Sequence, residues 1–447
     1  MKTTGLLVLL AIVASVQCKP APDTAPPYYE GKSEPYGESN ANQANIRNQS
    51  GYGDGSKLHG DSVQKGEADN LNQADLYNQY TKGSHSKQKN RALQEGAGNN
   101  VNQAINGNQY TVGDDAQQNT ARSQYATGDN TNQYASGNQG VIGDNSKQKF
   151  AAEQNAYTNN ENGENIDRSA SLNQQKVKVD DDDKKSSAHV DQVSGSDIYS
   201  KRTNEHGTTS DRLRTGTKSS GTTYVDDDRS YANVKQQSQS EHVSKEDELY
   251  KDGKKSTEHV NGVDNKSSAT SETTDKGTAR KAEQSTKTNH SDKEVIDRPG
   301  FHSTETSSST SSSSSTFSDF HSGDDAPGSL DQADQTQSNI GHDWTTHNIA
   351  KQNLNHVKTS RGKASAKNSQ QNQDSLATNN EQGSHQAAAN QQSNSQLEST
   401  RKGSEASGNQ QTSVGQSTHN KAGTNNQSIL NNQSANSDPH DSGYSHP

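Results

Sequence analysis

Small and polar residues dominate the chain, and the clearest pattern among them is a 15-residue unit that repeats eight times over residues 38–157. The units begin at Glu38, Gly53, Ala68, Gly83, Gly98, Gly113, Gly128 and Gly143. Glutamine fills the twelfth position of every unit and the sixth position of every unit but one, where Leu58 stands. These glutamines are Gln43, Gln49, Gln64, Gln73, Gln79, Gln88, Gln94, Gln103, Gln109, Gln118, Gln124, Gln133, Gln139, Gln148 and Gln154. Spacing this regular indicates a true repeat rather than low complexity alone.

Two turn signals divide each unit. The opening position is mostly Gly and the third is often Asn, as in Asn100 and Asn145, and both residue types favour turns. A second cluster of turn residues lies at 106–108 and 136–138. The unit is therefore predicted to form a β-arch of two short strands, each with one Gln. Stacked arches would form a narrow solenoid with ladders of Gln amides.

The composition nevertheless predicts a mostly intrinsically disordered, low-complexity chain. Only 23% of the residues are hydrophobic, with four Phe and one Trp, and the mean hydropathy is -1.31. Ordering a residue costs roughly 1–2 kcal/mol, and few large apolar groups are present to offset that cost. We therefore expect a disordered monomer in dilute solution, and β-arch or β-solenoid stacking of the repeat only on assembly.

The first 18 residues have the features of a secretory signal peptide. Lys2 precedes an apolar run from Gly5 to Val13, and small residues stand before a predicted cleavage site between Cys18 and Lys19. The protein is therefore predicted to be secreted and extracellular, with no membrane anchor. Cleavage would remove the one cysteine and the one methionine, so the mature chain would have no disulfide.

The rest of the chain is divided by composition into four further regions. A Pro- and Tyr-rich leader is predicted at 19–37, before the repeat array at 38–157. A charged Lys/Asp/Ser region with loose repeats follows at 158–300. A Ser/Thr-rich patch with aromatic residues occupies 301–350, and an Asn/Gln/Ser-rich tail, expected to be disordered, occupies 351–447.

The charge of the chain limits its partners. The formal net charge is -11, which argues against nucleic acid as a partner. The acidic run Asp180–Asp183 offers hard oxygen ligands, so weak binding of divalent cations is one interpretation and a solvated acidic run is the other. Five N-x-[ST] sequences are candidate glycosylation sites, at Asn48, Asn265, Asn289, Asn426 and Asn432.

No catalytic or cofactor site is predicted. The sixteen His residues form no HExxH pattern, and no nucleophile elbow or phosphate-binding loop is present in the sequence. Catalysis also needs groups held in fixed geometry, which a disordered chain does not provide. We expect a protein that is not an enzyme and that holds no metal or cofactor.

Several segments resemble the sericins, the hydrophilic silk-gland glues of moths. They are Asp180–Ser187, Val225–Ser230, Ser307–Phe320 and the 15-residue array. The resemblance implies a structural protein that coats and cements silk filaments, self-associates, and contacts silk or other extracellular matrix proteins. Such a coat would be hydrated when secreted and cohesive when dry. Two alternatives remain open: a cuticle, eggshell or salivary matrix protein, and a disordered desiccation protectant.

Overall fold

The computed structural model describes residues 40–160, 162–182, 184–322, 328–342, 344–380 and 382–437. About 89% of this part of the chain is β-strand, and it contains no helix. The prediction of a mostly disordered chain is therefore wrong. The expectation that the array stacks only on assembly is wrong as well, because the single chain forms a β-solenoid of about four turns.

The described residues form 21 strands. The array gives β1 (Asn40–Tyr52), β2 (Lys57–Glu67), β3 (Asn70–Lys82), β4 (Lys87–Ala97), β5 (Asn100–Val112), β6 (Gln117–Thr127), β7 (Asn130–Ile142) and β8 (Ser146–Asn160). The next segment gives β9 (Gly163–Asp182), β10 (Lys185–Asn204), β11 (Gly207–Val225), β12 (Arg229–Tyr250), β13 (Gly253–Thr274), β14 (Gly277–Arg298) and β15 (Phe301–Ser322). The last gives β16 (Gly328–His342), β17 (Thr345–Ser360), β18 (Lys363–Asn380), β19 (Gly383–Thr400), β20 (Gly403–Asn420) and β21 (Gly423–Asn436).

Each repeat unit forms one long strand, and two units form one coil of the solenoid. Strands β1, β3, β5 and β7 pair in parallel in one sheet, here called sheet A, and β2, β4, β6 and β8 pair in parallel in sheet B. The register offset is 30 residues, so Gln43 lies beside Gln73. The predicted arch of two short strands per unit is wrong, because each strand runs through the second expected turn.

Glycine is required for two different reasons in the array. At Gly83 φ is 141°, and a Cβ there would lie 2.3 Å from the carbonyl oxygen of Gly53 in the turn stacked against it. Gly107, expected in a turn, lies inside β5 instead, where a Cβ would come within 2.2 Å of the Tyr77 ring. Gly83 therefore permits a tight turn, whereas Gly107 makes room for a large buried side chain.

After β8 the chain stops coiling and forms two antiparallel meanders. Strands β9 to β15 extend sheet B away from the solenoid, and β16 to β21 return along sheet A. The last strand, β21, pairs in parallel with β7 of the solenoid. The charged region thus forms β9–β14, the Ser/Thr-rich patch forms β15, β16 and the start of β17, and the described part of the tail forms β17–β21.

The space between the two sheets is largely polar. Val and Ala side chains such as Val190, Val234 and Ala366 form its largest apolar cluster. Hydroxyl pairs bridge the sheets around this cluster, including Thr223 with Ser399 at 2.7 Å and Ser271 with Thr359 at 2.7 Å. Hydrogen bonding offsets the desolvation of these polar groups. Low apolar content therefore does not keep this chain unfolded.

Candidate functional site

The repeat glutamines form four continuous ladders between the two sheets. Sheet A holds the ladders Gln43–Gln73–Gln103–Gln133–Gln427 and Gln49–Gln79–Gln109–Gln139–Gln433, and sheet B holds Gln64–Gln94–Gln124–Gln154 and Gln88–Gln118–Gln148. In every rung the side-chain Nε2 donates to Oε1 of the preceding Gln, over 2.6–3.0 Å. Neighbouring rungs are 30 residues apart within the array, so each ladder joins alternate units.

The ladders also connect one sheet to the other. Gln103 of sheet A donates a second hydrogen bond to the carbonyl oxygen of Tyr125 in sheet B, at 3.0 Å. Gln94 of sheet B donates in the opposite direction, to the carbonyl oxygen of Ala104, at 3.1 Å. Both carboxamide hydrogens are thus used. Gln suits this inner position because its extra methylene, compared with Asn, lets the amide reach the facing backbone.

Asparagine forms three further ladders on the outer face of sheet A, which the sequence did not predict. They are Asn40–Asn70–Asn100–Asn130, Asn42–Asn72–Asn102–Asn132–Asn426 and Asn48–Asn78–Asn108–Asn138–Asn432. Most of these side chains are exposed. Each Asn after the first of its ladder donates one N–H to the preceding Asn, which leaves its second N–H for another acceptor. The outer face of sheet A is therefore an amide surface whose rows repeat at the strand spacing of about 4.8 Å.

A sequence signal for this surface exists. The pair Asn-Gln occurs twice, six residues apart, in each sheet A strand of the array, as at Asn42-Gln43 and Asn48-Gln49. The same pairs recur in the tail at Asn426-Gln427 and Asn432-Gln433, and β21 stacks on β7 with these residues in register. The prediction of a turn at the third position is wrong for Asn100, which opens β5, as Asn40, Asn70 and Asn130 open β1, β3 and β7. It is confirmed for Asn145, which lies in a turn with φ 57°.

The outer face of sheet B differs in charge. Lys57, Lys87 and Lys147 occupy equivalent positions in β2, β4 and β8, all exposed. On sheet A a row of tyrosines adjoins the Asn ladders, with Tyr80 and Tyr110 stacked at 5.9 Å between ring centroids. The two faces of the solenoid thus present different chemistry, an amide surface on which Lys82 is the charged residue of β3, and a surface with a row of lysines.

Buried charges occur in the meander half of the molecule. Arg202 Nη2 donates to Asp211 Oδ2 at 2.6 Å, and His385 lies 3.3 Å from the same oxygen. Burial acts to raise the pKa of Asp211, but the hydrogen bond with His385 and the charge of Arg202 outweigh it and hold that pKa below its ordinary value. These groups are fully buried and pair with one another between the sheets.

A second buried pair links β17 and β18. Burial raises the pKa of Asp374 to about 6 and lowers the pKa of Lys351 to about 8, while the charge of each acts against the shift of the other. The Lys351 ammonium donates to the carbonyl oxygen of Val263 at 3.0 Å, and the Ser240 hydroxyl donates to Asp374 at 2.6 Å. Both groups are enclosed between the sheets.

The five candidate glycosylation sites lie in different surroundings. Asn48, Asn426 and Asn432 belong to the Asn ladders, and Asn289 is exposed on β14. Asn265 is fully buried and its amide donates to Thr336, so the folded chain offers a glycan no access there. Occupancy at the other four stays a prediction.

Other expectations fall partly or wholly outside this part of the chain. The signal peptide and the leader lie outside the described residues, as does Asp183 of the acidic run. Among the residues that the structure describes, no group of three or more His, Cys, Asp or Glu is placed to hold a metal ion. The same residues include no helix long and apolar enough to cross a membrane.

Comparisons with known proteins give no relative for this chain. No family model, no curated protein and no solved structure matches it.

Proposed function

We propose that this protein is a secreted structural protein that coats silk-like filaments and adheres to them through the amide surface of sheet A. The observation that carries the proposal is the set of three Asn ladders on that surface, exposed and uncharged. The buried ladders contribute to folding. An exposed ladder buries little surface within the chain, so we infer that its regular spacing serves to bind a partner outside the chain.

The spacing of the Asn rows supports a β-sheet filament as the partner. A silk filament built of β-sheets presents backbone amides with a lateral repeat of about 4.8 Å, the same repeat as the Asn rows. The free N–H of each Asn would donate to filament carbonyl groups row by row. In water each such bond contributes only about 0.5–1.5 kcal/mol, because water competes for both partners. Drying removes that competitor, which makes the coat cohesive.

The experiment compares adsorption of the full chain to silk filaments before and after drying. The test variant carries Asn72→Ser, Asn102→Ser and Asn132→Ser, which removes the middle of one exposed ladder. The control carries Lys57→Ser, Lys87→Ser and Lys147→Ser on the opposite face. We expect the Asn variant to adsorb several-fold more weakly and the Lys variant to adsorb like the wild type, with circular dichroism showing both folded.

Equal adsorption by all three proteins would refute the proposed adhesive surface. Stronger adsorption to chitin than to silk would favour a cuticle matrix protein, and expression outside a silk gland would favour an eggshell or salivary matrix protein. The second alternative, a disordered desiccation protectant, rests on the prediction of a disordered chain, which the ordered fold contradicts.

A further inference from the structure

Strand β15 forms one end of sheet B, and among the described residues only β14 pairs with it, which leaves its outer edge unpaired. Nearly all of its 22 residues are exposed on both faces. At about 3.3 Å per residue its unpaired edge is roughly 70 Å long. A row of free backbone N–H and C=O groups this long is a template for another strand.

The usual protection of an edge strand is missing from β15. It contains no Lys, Arg, Pro or Gly, and residues 306–318 carry no charged side chain. The other sheet edges differ. Strand β16 is shorter, with Asp331 and Asp334, β1 carries Arg47, and β2 carries Lys57 and Lys65. Charged side chains on an edge oppose pairing with a second chain, so β15 is the edge best suited to it.

Three aromatic side chains lie at the ends of the same strand. Phe301, Phe317 and Phe320 are 55%, 47% and 60% exposed. Phe301 and Phe317 are an even number of residues apart and therefore point to the same face of the sheet. In an antiparallel pair of two such strands, the start of one strand lies beside the end of the other. Phe301 of one copy would then lie beside Phe317 of the second copy, at both ends of the pair.

We propose that two copies of this chain pair antiparallel through their β15 edges, joining two B sheets into one. A second copy offers a suitable partner strand for this edge. That strand has the same length and no charge in its centre, and its Ser and Thr side chains are small enough to face those of the first copy closely. The two-fold arrangement makes the contact self-complementary. This contact joins protein to protein, whereas the Asn surface is proposed to join protein to filament, so the inference goes beyond the coating role.

Sedimentation of the full chain over a range of concentrations tests the pairing. The edge variant carries Ser308→Lys and Thr310→Lys, both at exposed positions. When Phe301 lies beside Phe317 of the second copy, residue 308 of one copy lies opposite residue 310 of the other, so like charges face one another across the pair. The control carries Asn119→Lys and Ala121→Lys, with the same added charge at exposed positions of β6, which is not an edge strand. We expect a reversible dimer for the wild type and the control, and dimerisation weakened roughly tenfold or more for the edge variant.

Two results would overturn the proposal: a wild type that stays monomeric at the highest concentration, or an edge variant that dimerises as tightly as the control. Thermal unfolding of each variant shows that the fold is retained. Adsorption of the edge variant to silk separates the two contacts, since loss of dimerisation with unchanged adsorption means that only the protein–protein contact is removed.

Discussion

Individual amides determine how this fold accommodates so much polarity. Gln109 is a middle rung: it donates to Gln79, and it accepts from Gln139 and from the Thr120 hydroxyl. An isolated buried amide would be destabilising, but a middle rung of the ladder both donates to one neighbour and accepts from the other. The same residue type that signals disorder by composition is therefore a stabilising element when it recurs in register.

Replacing Gln109 with Ala tests this cooperativity. The substitution removes the donor to Gln79 Oε1 and the acceptor shared by Gln139 and the Thr120 hydroxyl, although Gln139 and Thr120 keep the hydrogen bond between them. A buried group left unpaired costs about 1–3 kcal/mol. We expect a clear drop in the free energy of unfolding, measured by denaturant titration. Asn106→Ala on the same strand is the control, because Asn106 is exposed and outside the ladders. Equal effects of the two substitutions would contradict a role for the ladder in stability.

A buried carboxyl gives the fold a dependence on pH. Burial, and then the charge of Glu248, raise the pKa of Glu246 to about 7, although the Asn380 amide donates to its carboxylate at 2.7 Å. The ordinary pKa is 4.5, so the folded chain binds the proton more tightly than the unfolded chain does. The stability contributed by this group is present below pH 4.5 and is lost as the pH rises through about 7.

Glu246→Gln removes that dependence while keeping an oxygen acceptor for Asn380. The variant should gain stability relative to the wild type as the pH rises from 4.5 to 7, and the difference should level off above that range. Thermal unfolding at a series of pH values measures it. Glu405→Gln, at an exposed position, serves as the control. A difference between Glu246→Gln and wild type that does not change with pH would show that Glu246 is not the responsible group.

At the scale of the strands, the 15-residue period of the sequence becomes a 30-residue period in space. Consecutive units occupy different sheets, and units two apart pair in register. The two kinds of unit differ in sequence: those of sheet A carry Asn at the fifth and eleventh positions, and those of sheet B carry none there. Sheet A strands therefore form the amide surface, and sheet B strands the charged one.

Deletions of one and of two units separate the two periods. Removing residues 68–97 takes out a complete coil and joins Glu67 to Gly98, so every later strand keeps its sheet and the protein should unfold cooperatively like the wild type. Removing residues 83–97 takes out a single strand and places all later array strands in the wrong sheet. We expect that variant to lose the cooperative transition in calorimetry. Equal tolerance of both deletions would argue for a 15-residue coil.

Part of this architecture could be predicted from the sequence. The regular spacing of Gln pointed to stacked amides, and the Gly column pointed to turns such as that at Gly83. The position of Gly107 could not be predicted, because its reason is the ring of Tyr77 on a neighbouring strand, 30 residues earlier. The number of units in one coil could not be predicted from the Gln spacing, because both kinds of unit carry Gln in the same columns.

At the scale of the whole molecule, the two meanders were not predicted at all. Hydropathy reveals strands when apolar and polar residues alternate. In β17 the buried positions hold His347, Lys351 and Asn355 beside Ile349 and Val357. Burial therefore alternates along the strand, but hydropathy does not. What stabilises these strands is antiparallel pairing with the next strand of the meander and packing against the other sheet, whose strands are far away in sequence. The candidate amide surface has the same origin, since β21 completes it from the tail.

The contact between β21 and β7 has a consequence for how the protein is made. Its paired residues are separated by 294 positions, as at Asn426 and Asn132. Pairings this distant in sequence make folding slow, because a long stretch of chain must be ordered before the contact forms. During synthesis β7 is therefore made well before β21, and the chain must be extended by 294 residues from one paired position to the other before this contact can form. Until then the solenoid exists without the strand that completes its amide surface, and β7 is an open edge available to other strands.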